Sequence, residues 1–292
     1  MLNKTKKHSA SNAIFIIFVL LLSVLMLVPF LMMLSTSFKN MAEINTPTFS
    51  FFPKTWYFDS YKEIFTSPRW GRYFANSFFT TIVSTFGALI INSMAGFAFA
   101  RLNFPGKNIL FPLVLLGIIV PGQVTMLPAY VIMKYIPFCG GNNWYGVGGS
   151  GLLNSTLGLV IIYLSGSFGV FLMKQFLMNF PRSLDDAAKL DGLSTFGTYV
   201  RIYMPLCKPA LATMIVLRAT ATWNDYIWPL LMTQKDSQFT VQLALSQFTS
   251  ETGNQWNSIM ASTALIILPI IILFLFLQSY FIEGIATSGM KE

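Results

Sequence analysis

Polar and apolar positions along this chain separate into long blocks instead of alternating. No Asp, Glu, Lys or Arg occurs between Lys7 and Lys39. Further uncharged tracts cover 73–100, 108–133, 135–173 and 252–282. Each exceeds the roughly 20 apolar residues that carry a helix across the hydrocarbon core of a bilayer. A buried soluble helix of that length would keep charges on an outward face, and these tracts have none. The blocks predict an all-α membrane protein with six transmembrane helices, over 13–34, 74–100, 108–133, 152–173, 209–231 and 260–281. The first tract follows Lys4, Lys6 and Lys7 as a secretory signal would. Its core of about 22 residues is longer than a signal's apolar region, and only Ser35-Thr36-Ser37 imitates a cleavage site. It reads as a retained first span.

Six spans place both termini on one side of the membrane. The N-tail, the 101–107 loop, the 174–208 segment and the C-tail hold eleven of the nineteen Lys and Arg residues. The opposite loops hold seven. Positive charge collects on the cytoplasmic side, so both termini are expected there, in a multi-pass protein of the cell (inner) membrane. Composition agrees, with 54% hydrophobic and 10% charged residues against about 25% charged in ordinary soluble domains. The net charge of +8 forms no basic stripe with interleaved aromatics, so nucleic acid is not an expected partner and the bilayer is. Two cysteines, Cys139 and Cys207, fall on opposite sides of the predicted membrane, and the single His8 has no metal-ligand company. No metal site and no catalytic residue is expected.

Two external loops differ in character. Segment 36–73 carries Phe49, Phe51, Phe52, Trp56, Tyr57 and Tyr61, either as rings at the headgroup level or as a docking surface for an external partner. Loop 137–151 contains Gly140, Gly141, Gly146, Gly148, Gly149 and Gly151, a density that favours an irregular, mobile loop over a helix.

The cytoplasmic segment 181–209 carries the most specific signal. Ser183 is suited to N-cap a short helix, with Asp186 completing an approximate capping box. Asp185 and Asp186 favour its first turn, and Gly192 suits the left-handed position after its end. Leu184, Ala187, Ala188 and Asp191 fall on one face. A helix of about eight residues is only about 12 Å long and is not stable alone in water, so it must pack against something. Pro205 should stop any helix running through, and Pro209 is preset for the first turn of the next.

Within that segment Asp186-Ala187-Ala188, Asp191-Gly192, Ile202 and Met204-Pro205 resemble the EAA loop of ABC importer permeases. Asp186 stands where the family has Glu and Met204 where it has Leu, with the spacing intact. Other stretches resemble the carbohydrate (maltose permease-like) branch of these binding-protein-dependent inner-membrane components. They are Asn76-Ser77, Phe97-Ala98-Phe99-Ala100-Arg101, Phe104-Pro105-Gly106-Lys107, Trp223-Asn224-Asp225, and the ending Gln278-Ser279-Tyr280-Phe281-Ile282-Glu283-Gly284-Ile285 with Met290-Lys291.

The resemblance implies a permease domain over 1–292, with its first span at 13–34 and its core region at 74–282. It implies a coupling helix between the fourth and fifth spans, with Leu184, Asp186, Ala187, Ala188, Asp191 and Gly192 in contact with an ATPase. The implied function is ATP-driven, binding-protein-dependent import of sugars or oligosaccharides. The implied partners are a second permease subunit, two ATPase subunits, and an extracellular or periplasmic sugar-binding protein. The chain has no G-x-x-x-x-G-K-[ST] phosphate loop, so ATP and Mg are expected on the partner ATPase, with no cofactor here. Arg218 lies mid-span, where it costs roughly 2.5–3.5 kcal/mol on insertion scales. With Asn224 and Asp225 it is either part of a sugar pathway, Trp223 stacking on a sugar ring, or a structural polar cluster against the second permease. An Arg218–Asp225 ion pair, direct or through water, fits their spacing. The alternative function, an ion-coupled secondary transporter, predicts internal repeats and intramembrane carboxylates, and Asp225 alone meets that description.

Overall fold

A computed structural model describes residues 2–250 and 253–288. Met290-Lys291, part of the family-like ending, lie outside the described residues. Among those described the architecture is helical, apart from a two-residue antiparallel pairing of Thr249–Ser250 with Gly253–Asn254. Among the described residues four helices are long and apolar enough to cross a bilayer, or up to six if two sharply bent pairs each count as one.

The chain falls into two compact units, Met1–Ser67 with Leu245–Leu268, and Pro68–Ala244 with Pro269–Glu292. In the first, the long helix Leu2–Ser37 exposes Ile14, Phe15, Leu21 and Leu25, as a lipid-facing helix does. Its far end is fastened to the aromatic segment that follows. Ser37 Oγ lies 2.8 Å from the Tyr61 hydroxyl, and Tyr57 N–H donates to the Phe38 carbonyl at 2.8 Å. The Phe38 ring meets Trp56, Phe58 and Tyr61. Part of the aromatic segment therefore packs on itself around Phe38, although Trp56 and Phe58, like Phe49 and Phe52, keep more than half of their surface exposed.

The second unit holds the spans that carry the chemistry. Helix Pro68–Arg101 begins six residues before the predicted second span. The third predicted span is not one helix. Lys107–Ile119 and Gly122–Lys134 meet at 106°, because Pro121 holds Val120 in an extended conformation (φ −76°, ψ 121°) and supplies no N–H to bridge the break. Each half has 13 residues, about 20 Å at 1.5 Å per residue, too short to cross alone.

The fourth span starts later than predicted. Ser155 caps Thr156–Val160 by accepting from Gly158 N–H at 3.1 Å. A tight turn over Ile161–Tyr163 follows, and Ser167–Met178 completes the crossing. The fifth is Lys208–Trp223, broken before the short helix Ile227–Met232 where one helix over 209–231 is predicted. The preceding helical stretch Thr195–Leu206 ends one residue past Pro205 and turns through 81° into Lys208–Trp223.

Second and fourth spans approach closely. A Cβ on Gly96 would press on Met173 and the backbone of Lys174, and one on Gly169 would overlap Asn92. Small residues at such contacts are how helices associate in lipid, where no hydrophobic drive acts between them. A core of Phe97, Met173, Leu177, Tyr203, Cys207 and Met214 joins these two spans to the fifth, with Leu184 packed against it.

The glycine loop is irregular as predicted, yet it is not loose. Asn142 is buried; its amide donates to the Lys134 and Ile136 carbonyls at 2.9 and 3.0 Å, and its oxygen accepts from Gly149 N–H at 2.9 Å. Gly140 and Gly151, both at positive φ, come so close that a Cβ on the first would overlap the carbonyl of the second. The glycines here serve tight winding.

Candidate functional site

The short helix between the fourth and fifth spans is present as Ser183–Leu190. Ser183 is not its N-cap. Arg182 occupies that position in helical conformation, with no side-chain cap bond. Pro181 starts the turn early, its carbonyl accepting from Leu184 N–H at 3.3 Å. Ser183 is thereby helical, whereas an N-cap side chain needs extended backbone. The other end matches expectation in detail. Gly192 has φ +72°, Gly192 N–H donates to the Lys189 carbonyl at 3.0 Å, and Leu193 N–H to the Ala188 carbonyl at 2.9 Å. This pair of bonds is the Schellman arrangement.

The predicted common face divides in two. Ala188 is fully buried and Leu184 half-buried against the core of this same chain. Asp186, Ala187, Asp191 and Gly192 are exposed. Leu190, which sequence reasoning did not single out, is 90% exposed. Nothing in the sequence marks it, since single exposed leucines are common on protein surfaces.

What anchors the helix was also not foreseen. Arg101, at the end of the second span, reaches Asp185 at 3.3 Å, their side chains 3% and 17% exposed. The same guanidinium donates to the Leu177 and Phe180 carbonyls at 2.6 and 2.8 Å, at the end of the fourth span, and lies over the Tyr203 ring. Tyr203 donates its hydroxyl proton to the other Asp185 oxygen at 2.7 Å. Burial and that hydrogen bond push the phenol well above its ordinary range, so it remains the donor. Tyr199 and Tyr203, four residues apart on one face, are both buried, and the chain between them winds as a single wide π turn, Tyr199–Tyr203, a geometry often found at functional positions. Arg182 adds a bond to the Arg101 carbonyl at 3.1 Å. One buried guanidinium thus joins the second span, the fourth span and the short helix.

The intramembrane cluster lacks the direct form of the expected ion pair. Among the described residues Arg218 and Asp225 form no direct ion pair. Both bind the irregular part of the fourth span: Arg218 donates to the Ser165 carbonyl at 3.2 Å, and Asp225 accepts from the Tyr163 hydroxyl. The other Asp225 oxygen accepts from Ile227 and Trp228 N–H at 2.9 and 3.2 Å, capping the helix after the break. Trp223 is 2% exposed, its ring 4.9 Å from Phe78, so it has no open face for a sugar ring. Asn224 is exposed and accepts from Gln242 at 3.2 Å. A cleft of about 220 Å³ lies beside Arg218, lined also by Thr85, Asn92, Phe168 and Met214.

Residues 92–287 match the family described as binding-protein-dependent transport system inner membrane component. The chain is 32% identical over 294 residues, covering both proteins completely, to an arabinooligosaccharides transport system permease protein of Bacillus subtilis (strain 168). It is 32% identical over 274 residues to a multiple sugar-binding transport system permease protein of Streptococcus mutans, covering 92% of this chain and 93% of that one. Its fold matches a chain of a bacterial ABC transporter involved in import of the acidic polysaccharide alginate, with TM-score 0.78 at 23% identity over 93% of this chain and 98% of that one. With several apolar helices, a family match over most of its length and relatives that are transport permeases, the chain belongs to the binding-protein-dependent inner-membrane components of ABC transporters, a transport subunit and not an enzyme.

Proposed function

We propose that this chain is the permease of an ATP-driven importer of sugars or oligosaccharides, and that helix Ser183–Leu190 is the element on which a separate ATPase acts. The observation that carries the reading is the two-sidedness of that helix. Its inner side, Leu184, Asp185 and Ala188, is fixed to the second and fourth spans. Its outer side presents Asp186, Ala187, Leu190, Asp191 and Gly192 to whatever docks there. A rigid knob tied at its root to two crossings transmits a push, whereas a floppy loop absorbs it. Ala188 then serves the root of the knob, and Ala187 and Leu190 its contact surface.

In this reading both termini and the helix face the cytoplasm, and ATP with Mg is bound by two ATPase subunits. A second permease completes the pathway. It is given room by an apolar cleft of about 330 Å³ between the second, fifth and last helices, which Phe78, Ile82, Phe86, Ile215 and Leu273 line. Arg218 and Asn224 face the translocation route, while Trp223 and Asp225 hold the break beside it in shape. An extracellular or periplasmic sugar-binding protein delivers the substrate.

Uptake by the complete importer in proteoliposomes tests this. Leu190→Glu should leave the permease folded and in the membrane, weaken co-purification of the ATPase, and abolish uptake. Normal uptake with that variant at normal membrane levels would remove the helix from the coupling role.

A further inference from the structure

The bent third crossing puts a helix at a depth that a straight span would pass through. Lys107 opens its first half, with Nζ donating to the Leu102 carbonyl at 2.7 Å beside the Arg101–Arg182 contact, so this half starts at a charged membrane face. From there 13 residues rise about 20 Å, whereas the hydrocarbon core of a bilayer is about 30 Å thick. The bend at Val120–Pro121 therefore lies at least about 10 Å beneath the opposite face. Gly122–Lys134 departs from it at 106°, across the leaflet and not through it. Polar groups at the bend find partners within the chain. Val120 N–H donates to the Leu116 carbonyl at 2.9 Å, Val124 N–H to the Pro121 carbonyl at 3.0 Å, and the Thr125 hydroxyl to the Gly122 carbonyl at 2.9 Å. Backbone at hydrocarbon depth has to be satisfied in this way.

The two sides of Gly122–Lys134 differ. Met126, Ala129, Tyr130 and Met133, at helical spacing, pack against the core around Trp228 and Met232. Val124, Leu127, Val131 and Ile132 make up the other side, exposed and without a polar group. Helices that meet in lipid approach through small residues, as Gly96 and Gly169 allow in this chain. Four large aliphatic side chains offer no such seat to a second permease, and they match acyl chains. Beyond the helix no charged residue occurs from 135 to 173. Loop 137–151, wound around Asn142, carries Phe138, Trp144 and Tyr145 at 71%, 71% and 84% exposure. Phe138 and Trp144 meet edge to face with ring centroids 5.4 Å apart. A charge-free loop with Trp and Tyr rings turned outward suits the headgroup level, whereas a docking surface for a soluble protein has a polar rim.

We propose that Gly122–Lys134 lies across the outer leaflet with its free side against acyl chains, and that loop 137–151 rests on the headgroups through Phe138, Trp144 and Tyr145. The partner of this surface is phospholipid. Naming that leaflet the outer one rests on the importer reading. Lys134 closes the helix with its ammonium 5.3 Å from the Tyr135 ring centroid, and its long stem lets the charge reach the headgroups from the acyl region. Leu152 N–H donates to the Met133 carbonyl at 2.9 Å. The same anchor thereby sets the height at which the chain enters the fourth crossing.

The test uses the assembled importer in proteoliposomes, with Cys139→Ser in this chain, the buried Cys207 left in place, and reactive thiols removed from the other subunits. Nitroxide labels are attached singly at Leu127→Cys and at Trp144→Cys. Their collisions with dissolved oxygen, which concentrates in hydrocarbon, are compared with those of a water-soluble nickel chelate. The label at 127 should meet oxygen and lose all access to the chelate, and the label at 144 should meet both. Neither result should change when the sugar-loaded binding protein is added. Val131→Cys replaces Leu127→Cys where the latter fails to reach the membrane. Free access of the chelate to position 127 or 131 overturns the proposal. Shielding of that position from both reagents also overturns it, since a second permease would then cover the face. At position 144, contact with the chelate alone would set the loop clear of the bilayer, and shielding by the binding protein would make it a protein-docking surface; either result overturns the headgroup contact. Uptake by unlabelled proteoliposomes is measured in parallel, and its failure defeats the importer reading while the measured depths stand.

Discussion

Arg101 Nη1 lies 3.3 Å from Asp185 Oδ2, joining residues 84 positions apart. Breaking a buried pair by removing one member typically costs about 3–5 kcal/mol, because the other charge is left without compensation. Arg101→Met should therefore release the short helix from the spans while leaving the ATPase surface intact. The expected result is ATP hydrolysis that persists in the assembled complex while uptake falls at least about tenfold, with partial recovery in Arg101→Lys. Coupled transport at the normal ratio of sugar to ATP in Arg101→Met would refute the transmission role.

Tyr203→Phe removes one hydrogen bond to the same carboxylate and keeps the ring beneath the guanidinium. Hydrogen bonds to charged groups contribute about 1.5–3 kcal/mol. The variant should lower the thermal midpoint of the purified complex by less than Arg101→Met does. Measuring both singles and the double variant should show strong non-additivity, since both groups bond Asp185.

Ala188→Arg should damage folding before it damages coupling, because the site is fully buried within the chain. Membrane levels of this variant should fall sharply. Ala187→Arg, one residue away and exposed, should keep normal levels and lose uptake. The contrast between adjacent alanines separates root from contact surface by immunoblot and transport assay.

Gly192→Ala should cost about 1 kcal/mol, since its φ of +72° is a conformation that only glycine adopts freely. Gly192→Asn should be milder, as asparagine tolerates the left-handed region. Thermal unfolding of the complex reads the order Gly, Asn, Ala.

Asn142→Ala deletes three bonds that wind the glycine loop. The wild-type loop should resist limited proteolysis despite its glycines, and the variant should be cut between residues 137 and 151. Equal resistance would show that the winding is held by the backbone alone.

Four apolar helices and the short helix were legible because bilayer thickness and helical capping act locally. The uncharged blocks placed the ends of those four helices to within several residues, and Gly192 marked the end of the short helix. Two local signals were outweighed. Pro121-Gly122 announces a break, but the uncharged run around it reads as one crossing. Ser183 is a fine cap by type, yet Pro181 starts the turn ahead of it. The anchoring of the helix was not legible at all, because Arg101, Leu177, Asp185 and Tyr203 meet only after folding and each looks ordinary where it stands. The same holds for Arg218. Its cost was evident from its place in an apolar run, but only the structure shows Asp225 engaged elsewhere.

Under the proposed coupling role, the tight seam at Gly96 and Gly169 limits how a stroke at the short helix would spread. With Met173 and Asn92 set directly against those glycines, the second and fourth crossings have no slack to slide past one another, and Arg101 clamps their shared end. The pair should behave as one stiff plank, so in the proposed transport cycle the movement would pivot along its outer edges, and a probe distance measured across the seam should stay constant throughout.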